Sequence, residues 1–147
     1  MDCEGRWELI AWTDNYITGN PGIDSDHRRL LALFNEFSTA VNAGQGDGAV
    51  RRILDDLIEY TQYHFSREER LMQESHYPDY ERHKKMHDTF TRQIADAGYH
   101  LAVGSDLSAF LLSLLAKWLG GHILSADRKF GIFLVGEGTP GSSVPGP

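Results

Sequence analysis

The sequence predicts an all-α protein built as a bundle of four helices, and three observations predict it. Apolar residues recur at the three-four spacing of a helix face through four separate stretches. Clusters of Gly, Pro, Asn, Asp and Ser divide those stretches. Histidines and carboxylates fall on the apolar stripes themselves, and several lie four residues apart. That spacing is just over one helical turn, so each such pair projects from one face.

The chain has 147 residues, enough for one domain with a single hydrophobic core. Its formal charge of −7 and pI near 5.4 argue against nucleic acid and against an anionic membrane surface. Cys3 is the only cysteine, so no internal disulfide forms and a reducing compartment is expected. Met1-Asp2-Cys3-Glu4-Gly5 does not open a secretory signal, and a cytoplasmic location is the expectation. The most apolar run, Leu107 to Leu119, contains Ser108, Ser113 and Lys117 and reads as too short for a membrane span.

Residues 1–22 read as an irregular arm anchored by Trp7 and Trp12 and ending in the turn Gly19-Asn20-Pro21-Gly22. The first helix is expected over about 24–43, capped by Asp24 or Ser25. Its stripe is Ile23, Leu30, Leu31, Phe34, Phe37 and Val41, with His27 one turn before Leu30 and Leu31, and Ala43-Gly44-Gln45-Gly46 ends it. The second helix is expected over 47–74, with Asp47 as its cap and a stripe of Val50, Ile53, Leu54, Leu57, Thr61, His64, Glu68, Leu71 and Met72. Glu68 is therefore a carboxylate on a buried face, and it has to be protonated, paired or bound to metal. Glu69 points elsewhere and is expected in solvent.

Tyr77-Pro78-Asp79 turns the chain into a third helix, expected over 79–103, with Tyr80, His83, His87, Phe90, Ile94 and Leu101 inward. Gly104-Ser105-Asp106 stops it and caps the fourth, expected over 106–130. The core face there is Leu107, Phe110, Leu111, Leu114, Leu115, Trp118, Leu119, His122 and Ala126. Gly120-Gly121 lies mid-helix, where each glycine costs about 1 kcal/mol against alanine. Close approach to a neighbour or to a site would justify the pair; local fraying is the alternative. Asp127 is five residues beyond His122, about 140° round a regular helix, so it would reach a shared site only from the flank. Residues 136–147 are Gly/Pro/Ser-rich and are expected to be a disordered tail behind a domain of residues 1–135.

A lone histidine on an apolar stripe is more often a hydrogen-bonded core residue than a ligand. Here all four helices supply inward histidines: His27; His64; His83 and His87; His122. Glu68 and Asp127 add two carboxylates, while His76 and His100 lie off the stripes and read as surface residues. Five buried imidazoles without metal would leave many ring nitrogens seeking partners. Imidazole and carboxylate together suit iron, manganese, zinc or copper, and the set is too large for one tetrahedral zinc. With a bridging oxygen, five imidazoles and two bridging carboxylates fill all but one position of two six-coordinate metals. A small ligand would take the open position.

These residues resemble the hemerythrin family, in particular the bacterial hemerythrins. The resemblance is carried by Gly22-Ile23-Asp24-Ser25-Asp26-His27, His64-Phe65-Ser66-Arg67-Glu68-Glu69, Tyr77-Pro78-Asp79-Tyr80-Glu81-Arg82-His83, His83-Lys84-Lys85-Met86-His87, and Trp118-Leu119-Gly120-Gly121-His122-Ile123 with Asp127. It spans roughly residues 7–133. It implies an antiparallel up-down-up-down four-helix bundle around two non-haem iron ions (Fe2+/Fe3+) joined by an oxo or hydroxo bridge. By the resemblance, His83, His87 and His122 would hold a saturated iron, His27 and His64 the open one, and Glu68 and Asp127 would bridge. Dioxygen would be the ligand. Two departures stand out. Asp26 occupies a position where many relatives carry glutamine, either tuning the ligands or facing water. Gly120-Gly121 would widen the pocket and speed autoxidation.

Reversible dioxygen binding, for carriage, storage or delivery, is the leading expectation. An oxygen- or redox-sensing module read by a partner protein is the alternative, as is a di-iron redox enzyme handling peroxide or nitric oxide. Oxygen-activating di-iron bundles use carboxylate-rich sets, whereas this set is nitrogen-rich, so at most weak peroxidase or oxidase activity is expected. A monomer or weak oligomer, with no nucleic-acid or membrane partner, completes the expectation.

Overall fold

The computed structural model describes residues 8–44, 47–101 and 107–138. Among these residues there is no strand. After a short 3-10 turn at Asp14–Tyr16 the helices are α1 (Pro21–Asn42), α2 (Asp47–Glu74), α3 (Tyr80–Leu101), α4 (Leu107–His122) and α5 (Arg128–Gly138), with a single-turn π-helix at Ile123–Asp127 joining the last two. The stretch from α4 through α5 is one rod, the fourth helix of an antiparallel bundle. Each helix packs on the next, and the fourth closes against α1.

The first helix starts a turn earlier than Asp24 or Ser25 would place it. Asn20 is the cap, its side chain accepting from the Ile23 N–H at 3.0 Å, and Pro21 takes the first helical position. Asp24 is instead buried and accepts from both the backbone N–H and the hydroxyl of Thr18, at 2.8 and 2.7 Å. That ties the arm to the bundle. Further up the arm, the Asn35 side chain donates to and accepts from the Ile10 backbone, and the Arg28 guanidinium lies 4.5 Å over the Trp12 ring. Trp7, Cys3 and the Asp106 cap lie outside the described residues, as does the tail beyond Gly138.

The link between α2 and α3 is tight. His76 adopts a left-handed φ of 56°, and the Tyr77 N–H reaches back to the Met72 carbonyl at 2.9 Å. This closes α2 with the geometry usually given to glycine.

The fourth helix differs most from the sequence reading. It continues past Phe130 to Gly138, so Gly136-Glu137-Gly138 are helical rather than tail. Its stretch Ser108–Gly136 is long and apolar enough to cross a membrane by length and composition, although the core helix of a bundle passes the same test. Gly120 and Gly121 make no close approach: a Cβ at either would meet nothing within 4 Å. The close approach is at Gly131, where a Cβ would stand 2.2 Å from the Thr18 carbonyl oxygen.

Two apolar clusters fill the bundle. The larger includes Leu30, Phe34, Leu54, Phe65, Phe90, Leu115, Leu119 and Ile123. The smaller is Ile23, Met72, Tyr77 and Phe130. On every helix the inward histidines and carboxylates fall between residues of the two clusters. A polar layer is thus sealed between two apolar ones.

Candidate metal centre

His27 on α1, His64 and Glu68 on α2, His83 and His87 on α3, His122 on α4 and Asp127 in the π turn are all buried and meet in that layer. The Nε2 atoms crowd together: His27 to His64 at 3.2 Å, His87 to His122 at 3.2 Å, and His122 to His83 at 3.1 Å. The ligand-type atoms form two groups, one of His27 and His64, the other of His83, His87 and His122, and Glu68 and Asp127 belong to both.

Each carboxylate divides its oxygens between the groups. Glu68 Oε2 lies 3.3 Å from His64 and 3.9 Å from His27, while Oε1 lies 2.9 Å from His83 and 3.2 Å from His87. Asp127 Oδ2 lies 2.9 Å from His27, and Oδ1 lies 2.9 Å from both His83 and His122. Carboxylates so placed span two centres.

The π turn explains how Asp127 gets there. Five residues on a regular helix would carry it to the flank, but the wider turn returns its carboxylate towards the side of His122. No spacing rule for a regular helix contains that correction.

The layer is badly satisfied as a purely protein structure. Both oxygens of Glu68, Oδ1 of Asp127 and Nδ1 of His27 are buried without a hydrogen bond, although neighbouring atoms stand close. They are near one another but not aimed at one another, as expected of ligands aimed at a point between them. The donor set, nitrogen-rich with two shared carboxylates, suits a pair of borderline transition metals, and it fits a non-haem di-iron site.

The electrostatics agree. Burial and the Asp127 charge would each raise the Glu68 carboxyl, yet the imidazoles of His64, His83 and His87 close beside its oxygens hold it far below the usual range. Burial would raise Asp127 too, and the charges of His122 and His27 hold it well below. Burial opposes charge on His64, but Asp26 and Glu68 push it up to about 10. Against the same opposition, Asp127 and Glu68 push His83 up to about 9. Burial wins at His122, which is lowered. Without metal, protons on His64 and His83 balance the two carboxylates.

Around the layer, Glu69 departs from expectation, while Asp26 takes up one of the two roles the sequence left open to it. Glu69, expected in solvent, accepts from the Nδ1–H of His87 at 2.8 Å. Its place next to Glu68 put it about 100° away on the helix, and only the position of α3 brings His87 to it. Asp26 serves His64 rather than its neighbour His27, accepting from Nδ1–H at 2.9 Å. It also accepts from the Tyr60 hydroxyl at 3.1 Å and from Arg67 at 3.4 Å. Phe65 stacks on His87 at 3.8 Å and Trp118 on His122 at 4.1 Å, making an aromatic wall on the three-histidine side. Tyr63 is exposed, Tyr80 packs in the smaller cluster, and His76 is at the surface. A surface cavity of about 200 Å3, lined by Tyr77, Asp79, Arg82, His83, Met86, Ser125, Ala126 and Lys129, abuts His83. Gly120 and Gly121 do not line it.

Comparison with known proteins points to one family. The hemerythrin HHE cation binding domain matches residues 18–131. A bacteriohemerythrin of Stenotrophomonas maltophilia is 34% identical over 122 residues, covering 83% of this chain and 79% of that protein. One from Pseudomonas aeruginosa is 32% identical over 121 residues, covering 82% and 78%. The crystal structure of a wild-type hemerythrin superposes with a TM-score of 0.74 at 28% identity, covering 86% of this chain and 98% of that one. By its helices, its buried histidine–carboxylate layer and these likenesses, the chain belongs to the hemerythrin family.

Proposed function

We propose that this protein binds dioxygen reversibly at a pair of non-haem irons, for carriage, storage or delivery. His83, His87 and His122 hold one ion, His27 and His64 the other, and Glu68 and Asp127 bridge. The observation that carries the reading is the inequality of the two groups: both carboxylates are shared, yet one group has three imidazoles and the other two. The position with fewer protein ligands is the one left for a small molecule. When bound, the irons supply that open coordination place and the electrons that bind dioxygen.

The chain's own residues do the rest. Apolar clusters cover the layer above and below. All seven ligating side chains come from one chain, so the site is complete without a partner. The set is nitrogen-rich, which favours binding over the oxygen-activating chemistry of carboxylate-rich bundles.

The test is an optical spectrum of iron-loaded, reduced protein, taken before air, in air and after return to vacuum. Near-ultraviolet and visible charge-transfer bands that appear in air and vanish under vacuum are the expected result. Bands that convert to a stable oxidised form and do not recover would move the reading to sensing or redox enzymology.

A further inference from the structure

Of the five imidazoles in the layer, two are held from behind by a carboxylate, and the two belong to different metal groups. His64, in the two-histidine group, donates from Nδ1 to Asp26 at 2.9 Å. His87, in the three-histidine group, donates from Nδ1 to Glu69 at 2.8 Å. His27 Nδ1 is buried with no partner. We propose that Asp26 and Glu69 are positioning residues, one for each metal position, and that each sets how tightly its own position holds its ion. This rests on the two-metal reading above.

The geometry carries the argument. A carboxylate behind Nδ1 keeps the proton on that nitrogen, leaves the Nε2 lone pair for the metal, and fixes the ring plane. Each of the two carboxylates adjoins a ligand in sequence but serves a ligand on another helix: Asp26 on α1 holds His64 on α2, and Glu69 on α2 holds His87 on α3. Each therefore also fixes the distance between two helices that supply the layer.

The two are built differently. Asp26 is 4% exposed and is held by three donors, His64, Tyr60 and Arg67. Glu69 is 18% exposed, with Lys84 at 3.9 Å as its only other charged neighbour among the described residues. Asp26 orients one of two imidazoles at its position, whereas Glu69 orients one of three. Loss of Asp26 should therefore cost its position more.

The experiment is chelator competition on the full chain loaded with cobalt(II), comparing the parent with Asp26→Asn and Glu69→Gln. The ion that remains is located by the hyperfine-shifted proton resonances of its imidazoles. The parent is expected to hold two ions. Asp26→Asn should release one ion at roughly 10- to 100-fold lower chelator and keep an ion showing three imidazoles. Glu69→Gln should release the other by a smaller factor and keep an ion showing two. Where Asp26→Asn does not fold, Glu69→Gln, on a part-exposed side chain, carries the test alone. Release of both ions together by a single substitution, or release unchanged from the parent, overturns the proposal. A parent that holds fewer than two ions sinks the two-metal reading itself, whatever the variants do.

Discussion

His64 and His83 carry the sharpest consequence at the scale of single residues. In the metal-free chain both sit above the ordinary histidine value, at about 10 and about 9. A group whose value is raised on folding stabilises the fold fully below its unfolded value and stops doing so as pH rises through the folded one. Both start from 6.5. The metal-free chain should therefore lose stability as pH rises from about 6.5 towards 10. Glu68 and Asp127 act with the opposite sign, since both are lowered on folding. Their contribution is present above the ordinary carboxyl range and is lost as pH falls below it. Urea denaturation in chelator across that range should show a maximum on the weakly acidic side of neutrality. A curve still rising at pH 9 would show that the imidazoles are not held protonated by these carboxylates. Ligating imidazoles must be neutral, so metal loading at neutral pH should also release protons, measurable by calorimetry in buffers of different ionisation enthalpy.

At the scale of elements, the fourth helix contains both unexpected features. Gly120 and Gly121 have helical backbone and open space around the position of a Cβ. Replacing either with alanine should stabilise the fold by up to about 1 kcal/mol. Gly131→Ala should instead cost about 1–3 kcal/mol, because its Cβ would meet the Thr18 backbone. Thermal melts of the three variants test this, and a stabilised Gly131→Ala would show that the arm yields freely. The π turn offers a second test. Deleting the exposed Ser125 would leave four residues from His122 to the aspartate, the spacing of a regular helix turn. The deleted chain should still load two ions, since the face is restored by a different route. Loss of the bridged pair would mean that the wide turn itself is required.

At the scale of the whole molecule, metal and fold are linked. Ions that bind only the folded layer should raise the melting temperature with the logarithm of their excess over Kd. Protons compete for the same imidazoles, so the shift should shrink with acid and vanish well below the ordinary histidine range. Retention of both ions down to about pH 4 would contradict five-imidazole ligation.

Much of this architecture could be read along the chain, because its determinants are periodic. Four apolar stripes give four helices, and a histidine on a stripe is turned inward by the same geometry that turns a leucine inward. His27, His64, Glu68, His83, His87 and His122 were visible for that reason. Asp127 was visible as a candidate, but its face was not, since a π turn is a local departure from the period on which the reading depends. Glu69 was misjudged, and Asp26 stayed open between tuning the ligands and facing water, for a different reason. Each acts on a histidine of a neighbouring helix, and a one-dimensional pattern does not contain the rotation of one helix about another. The same holds for Gly131, which is small because the arm crosses it, while a Cβ at Gly120 or Gly121 would meet nothing within 4 Å. Which residues face inward follows from the pitch of a single helix; which of them meet, and what stands behind each, follows only from how four helices pack.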